Sequence, residues 1–246
     1  MRDYRIECEK RIAYIRAKLE EAHARGVVFG NSGGKDSALC GILCKLACEN
    51  TVGVLLPCAS KQNYGKDTED ALALASRFGI ETRVVDLTRV KEAMLDAVSA
   101  AASVTADGDK NLPPRLRMAA LYTIAASEGR LVCGTGNRSE AYLGYFTKWG
   151  DGAYDFDPIA DLTVREVYEF LRYLGAPESI LEKAPSAGLF DGQTDEGELG
   201  FSYETLDAYL LDGVVPEKKA LERIEHLHKT SAHKRALPSK YQESDL

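Results

Sequence analysis

The sequence predicts an α/β fold with a doubly wound parallel sheet flanked by helices. Short apolar, β-branched runs alternate with longer stretches whose apolar residues recur at helical spacing. Strands that alternate with helices in this way imply right-handed crossovers and a parallel sheet. The chain has 246 residues, of which 45% are hydrophobic, and this length suits one large domain. The loops that follow the strands are therefore expected to share one cleft.

The first half of the chain carries the predicted sheet. An amphipathic helix over 3–24, with Ile12, Ile15 and Leu19 on one face, ends at Gly26. A polar stretch over 106–111 is expected to be a flexible loop, and Pro113 and Pro114 are expected to open the helix that follows it. The remaining elements predicted here are strands over 27–29, 51–56, 82–87 and 131–133, and helices over 35–49, 66–78, 89–102 and 115–128.

The second half of the chain changes to helices separated by glycine-rich loops. Thr163 and Glu166 form a capping box that opens a helix over 163–174. Two more helices are expected over 202–211 and 217–230, with Pro216 in the first turn of the last one. We expect a single domain with an N-terminal helix over 1–25, a core over 26–185 and a C-terminal helical appendage over 186–246.

Composition limits the class of protein. The net charge of −7 argues against a general nucleic-acid-binding role, which needs a basic surface. The sequence has no run of about 18 apolar residues and begins without a secretory segment, so we expect a cytoplasmic protein that does not enter a membrane. Cys40, Cys44 and Cys48 share a helix face; this spacing suits either packing on the sheet or a metal or sulfur-transfer site, and packing is favoured. No disulfides are expected.

The chain is organised around residues 27–37, which read Val-Val-Phe-Gly-Asn-Ser-Gly-Gly-Lys-Asp-Ser. The pattern predicts a strand, a tight loop and the start of a helix. Glycines in the loop let an anion approach the main chain directly, and the helix adds the positive end of its dipole. The stretch therefore predicts a phosphate-binding loop made of Gly30, Asn31, Ser32, Gly33, Gly34, Lys35, Asp36 and Ser37.

The loop differs from the Walker pattern Gly-x-x-x-x-Gly-Lys-Ser/Thr, because Asp36 follows Lys35. A carboxylate in a phosphate loop suits a Mg²⁺ ligand, since the cation then lies between two anions. The alternative is an N-cap or first-turn Asp that stabilises its own helix. Ser-Gly-Gly-x-Asp-Ser resembles the signature of the ATP pyrophosphatases, which cleave ATP between the α- and β-phosphates; the resemblance implies that the substrate is adenylated.

Two later stretches carry further candidate chemistry. Residues 134–140 (Gly-Thr-Gly-Asn-Arg-Ser-Glu) form a strand end, a glycine turn and a carboxylate. Glu140 at the end of this stretch is either a second metal ligand that pairs with Asp36 or a solvated first-turn Glu. Residues 144–158 combine aromatic side chains with one Lys and several Asp. They suit stacking on a heteroaromatic ring and binding of sugar hydroxyls, or else simply form a packed surface loop.

Four segments in the second half resemble the NAD synthetases. They are 185–189 (Pro-Ser-Ala-Gly-Leu), 192–196 (Gly-Gln-Thr-Asp-Glu), 200–203 (Gly-Phe-Ser-Tyr) and 233–235 (His-Lys-Arg). The resemblance runs in order from about Gly26 to Arg235 and implies an adenine nucleotide α-hydrolase-like, Rossmann-like fold. It also implies an ammonia-dependent ligase: deamido-NAD attacks the α-phosphorus of ATP, pyrophosphate leaves, and ammonia displaces AMP from the acyl-adenylate.

The resemblance further implies roles for individual residues. The loop 30–37 would hold ATP, Asp36 and Glu140 would bind Mg²⁺, and Thr135 and Ser186 would add ATP contacts. The residues implied for deamido-NAD are Arg115, Lys148, Asp155, His233 and Lys234. Their chemistry is suitable, because three of them are cations for a pyrophosphate and Asp155 can accept hydrogen bonds from a ribose.

One position departs from the family pattern. Where the resemblance leads us to expect a Lys that contacts ATP, this chain has Val164. Lys35, which lies within the phosphate loop, is the candidate to replace that cation; the alternative is that Lys35 is a solvated helix-start residue.

The proton that ammonia loses could be taken by Asp151 or Asp157, and the sequence does not choose between them.

The resemblance implies a homodimer with its sites near the interface, to which the first helix and the tail could contribute. Because the synthetase motifs occupy the chain, free ammonia is expected as the nitrogen donor. A separate glutaminase that supplies this ammonia in the cell is compatible with that expectation.

The alternatives that share the loop are a tRNA-thiolating or sulfate-reducing enzyme and a non-catalytic nucleotide-binding module. A tRNA-thiolating or sulfate-reducing enzyme would show a basic surface or paired cysteines. A non-catalytic nucleotide-binding module would not need Asp36, Glu140 and the later motifs together.

Overall fold

A parallel sheet forms the centre of the computed structural model, which describes residues 2–59, 65–183 and 195–241. Its strands lie in the order β3-β2-β1-β4, so the chain crosses over on both sides of β1. The predicted doubly wound α/β class is confirmed. The strands are β1 (Gly26–Gly30), β2 (Thr51–Leu55), β3 (Glu81–Val84) and β4 (Arg130–Val132).

The helices of the described ranges are α1 (Tyr4–Glu21), α2 (Lys35–Ala47), α3 (Lys66–Phe78), α4 (Thr88–Ser99), α5 (Ala106–Glu128), α6 (Arg138–Leu143), α7 (Val164–Leu174), α8 (Glu178–Leu181), α9 (Asp195–Leu199), α10 (Tyr203–Asp212), α11 (Lys218–Thr230) and α12 (Ala232–Arg235). None of them combines the length and the apolar character that crossing a bilayer requires. Pro216 lies just before Glu217, the N-cap of α11, and not in the first turn of that helix as predicted.

The two faces of the sheet bury separate apolar clusters. On one face, Val27 and Phe29 pack with residues of α1, α2 and α7, which include Leu39 and Phe170. On the other face, Val28 packs with residues of β2 and α5. Successive residues of a strand point to opposite faces, so β1 contributes to both clusters and is covered by helices on both sides.

The expectation of a flexible loop over 106–111 is wrong, because this stretch is the start of α5. Thr105 caps the helix by accepting a hydrogen bond from the Gly108 amide at 3.1 Å. Pro113 and Pro114 lie inside α5 rather than at its start, although neither can donate the usual backbone hydrogen bond. Both prolines are buried, so packing in the interior offsets those lost bonds.

The C-terminal helices are fastened to the sheet region by one buried carboxylate. Asp207 of α10 accepts hydrogen bonds from the Ser139 hydroxyl at 2.5 Å and the Arg165 amide at 2.7 Å. Ser139 in turn accepts from the amide of Val164 at 3.2 Å. The starts of α6 and α7 are therefore held together by a residue from the appendage. The capping box predicted for Thr163 and Glu166 is present at the start of α7.

The packing of α2 on β1 leaves no room for a side chain at Gly41. A Cβ added there would lie 2.5 Å from Phe29 Cζ. Gly108, in the first turn of α5, is a matched control, because its nearest neighbour would be Thr105 Oγ1 at an ordinary 3.5 Å.

We expect Gly41→Ala to lower the free energy of unfolding by about 1–3 kcal/mol through overpacking. The same change at Gly108 should raise it by about 0.4–1 kcal/mol, because the unfolded chain loses freedom. Urea denaturation of both variants checks this pair. Equal stabilisation by the two substitutions would contradict the packing of Phe29 on α2.

Candidate active site

A cleft of about 940 Å³ opens at the carboxyl ends of the strands. It is lined by residues that follow β1, β2 and β4, including Asn31, Leu56 and Gly134. The expectation that the loops after Phe29, Leu56 and Cys133 share a cleft is therefore confirmed. Such a position is where parallel α/β sheets bind their ligands.

The loop between β1 and α2 is a tight turn fixed by its own hydrogen bonds. Gly33 has φ = 71°, and a Cβ there would lie 2.1 Å from the backbone oxygen of Asp67. Ser37 Oγ accepts from the Ser32 amide at 3.3 Å and donates to the Gly34 oxygen at 3.0 Å. Gly34 is the N-cap of α2 and has no side chain to cap it. The first amides of α2 are thus suited to bind an anion at this edge of the cleft.

Lys183 also lines the cleft, and it acts as a clamp that holds this loop to α3. Its ammonium donates to the Gly33 oxygen at 3.1 Å and pairs with Asp67 at 2.7 Å and Asp70 at 3.1 Å. Both carboxylates lie on α3, and their side chains are almost fully buried. Removing one partner of such a buried pair leaves an uncompensated charge, so the clamp fixes the relative positions of α3 and the loop.

Asp36 and Glu140 meet across the cleft, as the sequence predicted they could. Asn137 bridges them: its Nδ2 donates to Asp36 Oδ1 at 3.0 Å, and its Oδ1 accepts from the Glu140 amide at 3.0 Å. Glu140 also completes a capping box at the start of α6 by accepting from the Asn137 amide. Asp36 is not the N-cap of α2, which is Gly34, so the N-cap alternative is wrong; Asp36 does lie in the first turn, where its charge also suits the helix dipole.

The electrostatics of this pair are unusual for carboxylates. Burial and the neighbouring Asp36 carboxylate raise the pKa of Glu140 well above its ordinary value, although Lys35 acts in the opposite sense. Asp195 lies on the same side of the cleft, is 3% exposed, and accepts a hydrogen bond from the Tyr203 hydroxyl at 3.3 Å. This end of the cleft therefore brings acidic groups close together, and a bound cation would relieve the repulsion between their charged forms.

Lys35 lies between the two carboxylates. Its ammonium is 2.7 Å from Asp36 Oδ2 and 3.7 Å from Glu140 Oε1, and the residue is only 6% exposed. The alternative of a solvated helix-start lysine is therefore wrong. Val164 is buried in an apolar cluster with Leu143 and Leu206, where it can give ATP no charged contact.

The pair Asp36 and Glu140 fits a magnesium ion in donor chemistry. Among the residues described, no group of three or more His, Cys, Asp or Glu side chains is arranged as a metal site. Mg²⁺ is commonly held by one or two carboxylates together with water and substrate phosphates, so two hard oxygen donors beside a phosphate loop are sufficient. Lys35 already occupies one Asp36 oxygen, which limits how the ion can enter.

Four aromatic side chains line part of the cleft and form an aromatic wall. Its residues come from the 144–158 stretch, which lines the cleft and is not merely a packed surface loop; they are Tyr145, Phe146, Trp149 and Tyr154. Lys234 reaches the wall from α12 and donates to the oxygens of Gly144 and Phe146 at 2.9 and 2.8 Å. Lys148 similarly donates to the His233 oxygen at 2.8 Å.

The candidate residues fall into three groups by position. The cleft is lined by Gly30, Asn31, Ser32, Gly34, Lys35, Asp36, Ser37, Thr135, Glu140, Lys148 and Lys234. Gly33, Arg115, Asp155 and His233 lie outside that lining. Asp155 accepts from the Tyr122 hydroxyl at 3.1 Å, and Arg115 donates to the Lys148 oxygen at 3.4 Å. Ser186, with the motif around it, lies outside the described residues.

The sequence interpretation missed Asn137 and Lys183 as site residues. Asn137 had a readable signal, because Asn followed three residues later by Glu is a capping-box spacing. Lys183 had none, since its partner Asp70 lies 113 residues away in the chain. Arg117, which lines the cleft and donates to the Leu56 oxygen at 3.0 Å, was missed for the same reason.

All six cysteines are free thiols, as expected. Cys40 and Cys44 are buried in the cluster that packs α2 on the sheet, and Cys48 lies half-buried at its edge. Cys40 Sγ donates to the Gly134 oxygen at 3.3 Å. The packing interpretation of this helix face is therefore correct.

Comparison with known proteins identifies the family. Residues 7–238 match the family model described as NAD synthase. A relative from Carboxydothermus hydrogenoformans, named NH(3)-dependent NAD(+) synthetase, is 44% identical over 94% of each chain. The chain therefore belongs to the NAD synthase family.

Solved structures agree with this assignment. An NMN synthetase from Francisella tularensis superposes with a TM-score of 0.92 and 38% identity over 98% of this chain and 99% of that one. An NH3-dependent NAD synthetase from Campylobacter jejuni, in complex with the nitrate ion, gives a TM-score of 0.79 and 31% identity over 98% and 100% of the two chains.

Asp157 supplies a pH-dependent support for the loop that carries Thr135. Its carboxylate accepts from the Gly136 amide at 3.0 Å and the Ile159 amide at 2.9 Å, and burial raises its pKa from 3.8 to about 7. The folded chain thus holds a proton here that the unfolded chain loses near pH 4, so stability contributed by this group falls as the pH rises from about 4 to about 7.

We expect Asp157→Asn to remove that contribution. The free energy of unfolding of the natural chain minus that of the variant should fall as the pH rises from about 4 to about 7 and stay constant above pH 8. Urea denaturation at a series of pH values measures this difference. If this difference in free energy of unfolding did not change with pH, the pKa of Asp157 would not be raised in the folded chain.

Proposed function

We propose that this member of the NAD synthase family amidates deamido-NAD with ammonia to give NAD, at the expense of ATP, which is converted to AMP and pyrophosphate. The reaction is a carbon–nitrogen ligation and the last step of NAD biosynthesis. The observation that carries the proposal is the phosphate loop with Asp36 at the start of α2, facing Glu140 across the cleft. A carboxylate pair beside a helix N-terminus suits a metal-bound triphosphate whose α-phosphorus is attacked.

In the first step, an oxygen of the nicotinate carboxylate attacks the α-phosphorus of ATP, and the bond to the α,β-bridging oxygen breaks. Negative charge grows on the departing pyrophosphate. The amides at the start of α2 and the ammonium of Lys35 are fixed in the cleft before reaction and stabilise that charge. Mg²⁺ held by Asp36 and Glu140 would neutralise phosphate oxygens and orient them.

In the second step, ammonia attacks the acyl carbon of the adenylate, and the carbon–oxygen bond to AMP breaks. The nitrogen must lose a proton as the amide forms. Asp151 suits that role better than Asp157, because Asp151 lines the cleft while Asp157 is engaged by the Gly136 and Ile159 amides outside its lining. Asp151 itself accepts from the Thr147 amide at 3.0 Å, which fixes its position.

The binding mode of deamido-NAD follows from the aromatic wall. Trp149 and Tyr154 have exposed rings, 56% and 42%, that can stack on a pyridine or adenine ring. Lys148 and Lys234 supply positive charge for the pyrophosphate at the same end of the cleft. Thr135 lies with the ATP loop, and Ser186 is kept as a further ATP contact on the family pattern alone.

We also propose a homodimer, because part of the predicted substrate site lies outside the cleft. Arg115 and Asp155 are exposed and do not line it, so a second copy could complete a binding surface around them. The unpartnered face of α4 suits the interface: Val90, Met94 and Val98 recur every four residues and are each more than 40% exposed. We also propose a cytoplasmic location, with which six free thiols agree.

A second candidate substrate is nicotinate mononucleotide, with NMN as the product. It is favoured by one observation, the TM-score of 0.92 to the Francisella tularensis NMN synthetase against 0.79 to the Campylobacter jejuni NAD synthetase. The two substrates share the carboxylate that reacts and differ by the adenylate portion. The chemistry at Asp36 and Glu140 would be the same for both.

The product analysis tests the proposal. With ATP, Mg²⁺ and ammonium, the purified chain should convert deamido-NAD to NAD and release AMP and pyrophosphate in equal amounts; glutamine should not replace ammonium. Nicotinate mononucleotide serves as the competing substrate and should show kcat/KM at least tenfold lower. The reverse ratio would establish the second candidate, and release of ADP and orthophosphate would overturn the adenylation chemistry.

A further prediction concerns the carboxylate pair. Asp36→Asn and Glu140→Gln preserve shape and remove one charge each, so each should lower turnover by on the order of 10²–10³ while the chain stays folded. Asp212→Asn is a control, because Asp212 pairs with Arg165 on the surface, away from the cleft lining. Near-normal turnover of either cleft variant at ordinary Mg²⁺ would remove that residue from the metal site.

A further inference from the structure

Lys35 lies where a positive charge is unfavourable unless negatively charged groups are close to it. It is the first residue of α2, so its ammonium lies near the positive end of the helix dipole. It is also buried, with 6% exposure, although lysine is almost never buried unless paired. Strong local interactions must therefore offset both the helix dipole and the loss of water.

The interactions come from two carboxylates, that of Asp36 beside it on α2 and that of Glu140 on α6. The ammonium is 2.7 Å from Asp36 Oδ2 and 3.7 Å from Glu140 Oε1, and it lies 5.8 Å from the centre of the Tyr203 ring. Although burial lowers the pKa of Lys35, Asp36 and Glu140 outweigh it and raise the pKa above its ordinary value. The ammonium is thus a fixed positive charge between the two acidic groups.

This arrangement has a consequence for any divalent cation. A metal that binds Asp36 and Glu140 together must take up a position close to that of the ammonium. Both Asp36 oxygens are already engaged, Oδ2 by Lys35 and Oδ1 by the amide of Asn137. Two cations that close repel each other strongly in a partly buried site. Lys35 has a four-carbon stem and lines the same cleft as the phosphate loop, so it can move toward phosphate when phosphate is present.

We infer that Lys35 is a built-in placeholder cation that keeps the Asp36–Glu140 pair closed to metal until nucleotide phosphate arrives to take up the ammonium. Metal and nucleotide then enter together, and the chain without nucleotide has little affinity for a divalent cation. The inference rests on the proposed function in one respect, the assignment of Asp36 and Glu140 as the metal ligands. It adds that the protein's own Lys35 competes with the metal for this pair of carboxylates.

The test measures Mn²⁺ binding to the full chain without nucleotide, by the electron paramagnetic resonance signal of free Mn²⁺ at pH 8. Lys35→Met should tighten Mn²⁺ binding at least tenfold relative to the natural chain, because the competing charge is gone. Lys45→Met is the matched control: Lys45 lies on the same helix and pairs with Glu49 at its far end, so its loss should leave Mn²⁺ binding unchanged. Adding Asp36→Asn to Lys35→Met should abolish the gain.

Unchanged Mn²⁺ affinity in Lys35→Met would overturn the inference, as would an equal gain in Lys45→Met or a gain that survives Asp36→Asn. If Lys35→Met does not fold, as judged by circular dichroism, Lys35→Gln replaces it under the same criteria. The readout is independent of turnover. Failure of the proposed function would appear instead as a natural chain that makes neither AMP nor pyrophosphate.

Discussion

The site depends on one backbone constraint, the turn between β1 and α2. At Gly33 the chain takes a left-handed conformation against the Asp67 oxygen, where a Cβ would approach within 2.1 Å. Only glycine fits such a position. The turn sets the direction of α2, and with it the position of Lys35 and Asp36 at the edge of the cleft. Lys183 then stabilises that direction, because its ammonium contacts both the Gly33 oxygen and Asp67 of α3.

A network of hydrogen bonds holds the buried acidic side chains in place. Asn137 joins Asp36 to the start of α6, and Asp207 joins α6 to α7 from the C-terminal appendage. These contacts bring Glu140 opposite Asp36 although the two lie far apart in the chain. The C-terminal helix α10 is therefore part of the site's support. Removing any member of such a network leaves its partners buried without hydrogen bonds, which is costly in a low-dielectric interior.

The sequence predicted the fold class and the place of the cleft because those depend on local patterns. Apolar periodicity gave the strands and most helices, and the glycines and Asp36 gave the phosphate loop. It failed over 106–111, where the polar stretch is the first turn of α5 and the cap at Thr105 outweighed composition. It also could not show that Lys35 is buried or that Lys183 clamps the loop, since both facts depend on partners brought together by the fold. The separation of Arg115 and Asp155 from the cleft is likewise a property of the tertiary arrangement.

In the proposed reaction, this cleft activates a carboxylate by joining it to the α-phosphorus of ATP. Deamido-NAD labelled with ¹⁸O in both carboxylate oxygens tests it directly, because the bond that breaks in the second step leaves one of those oxygens on AMP. Mass spectrometry of the AMP released with NAD should show one ¹⁸O per molecule. AMP free of the label, or the label in orthophosphate released with ADP, would contradict the claim.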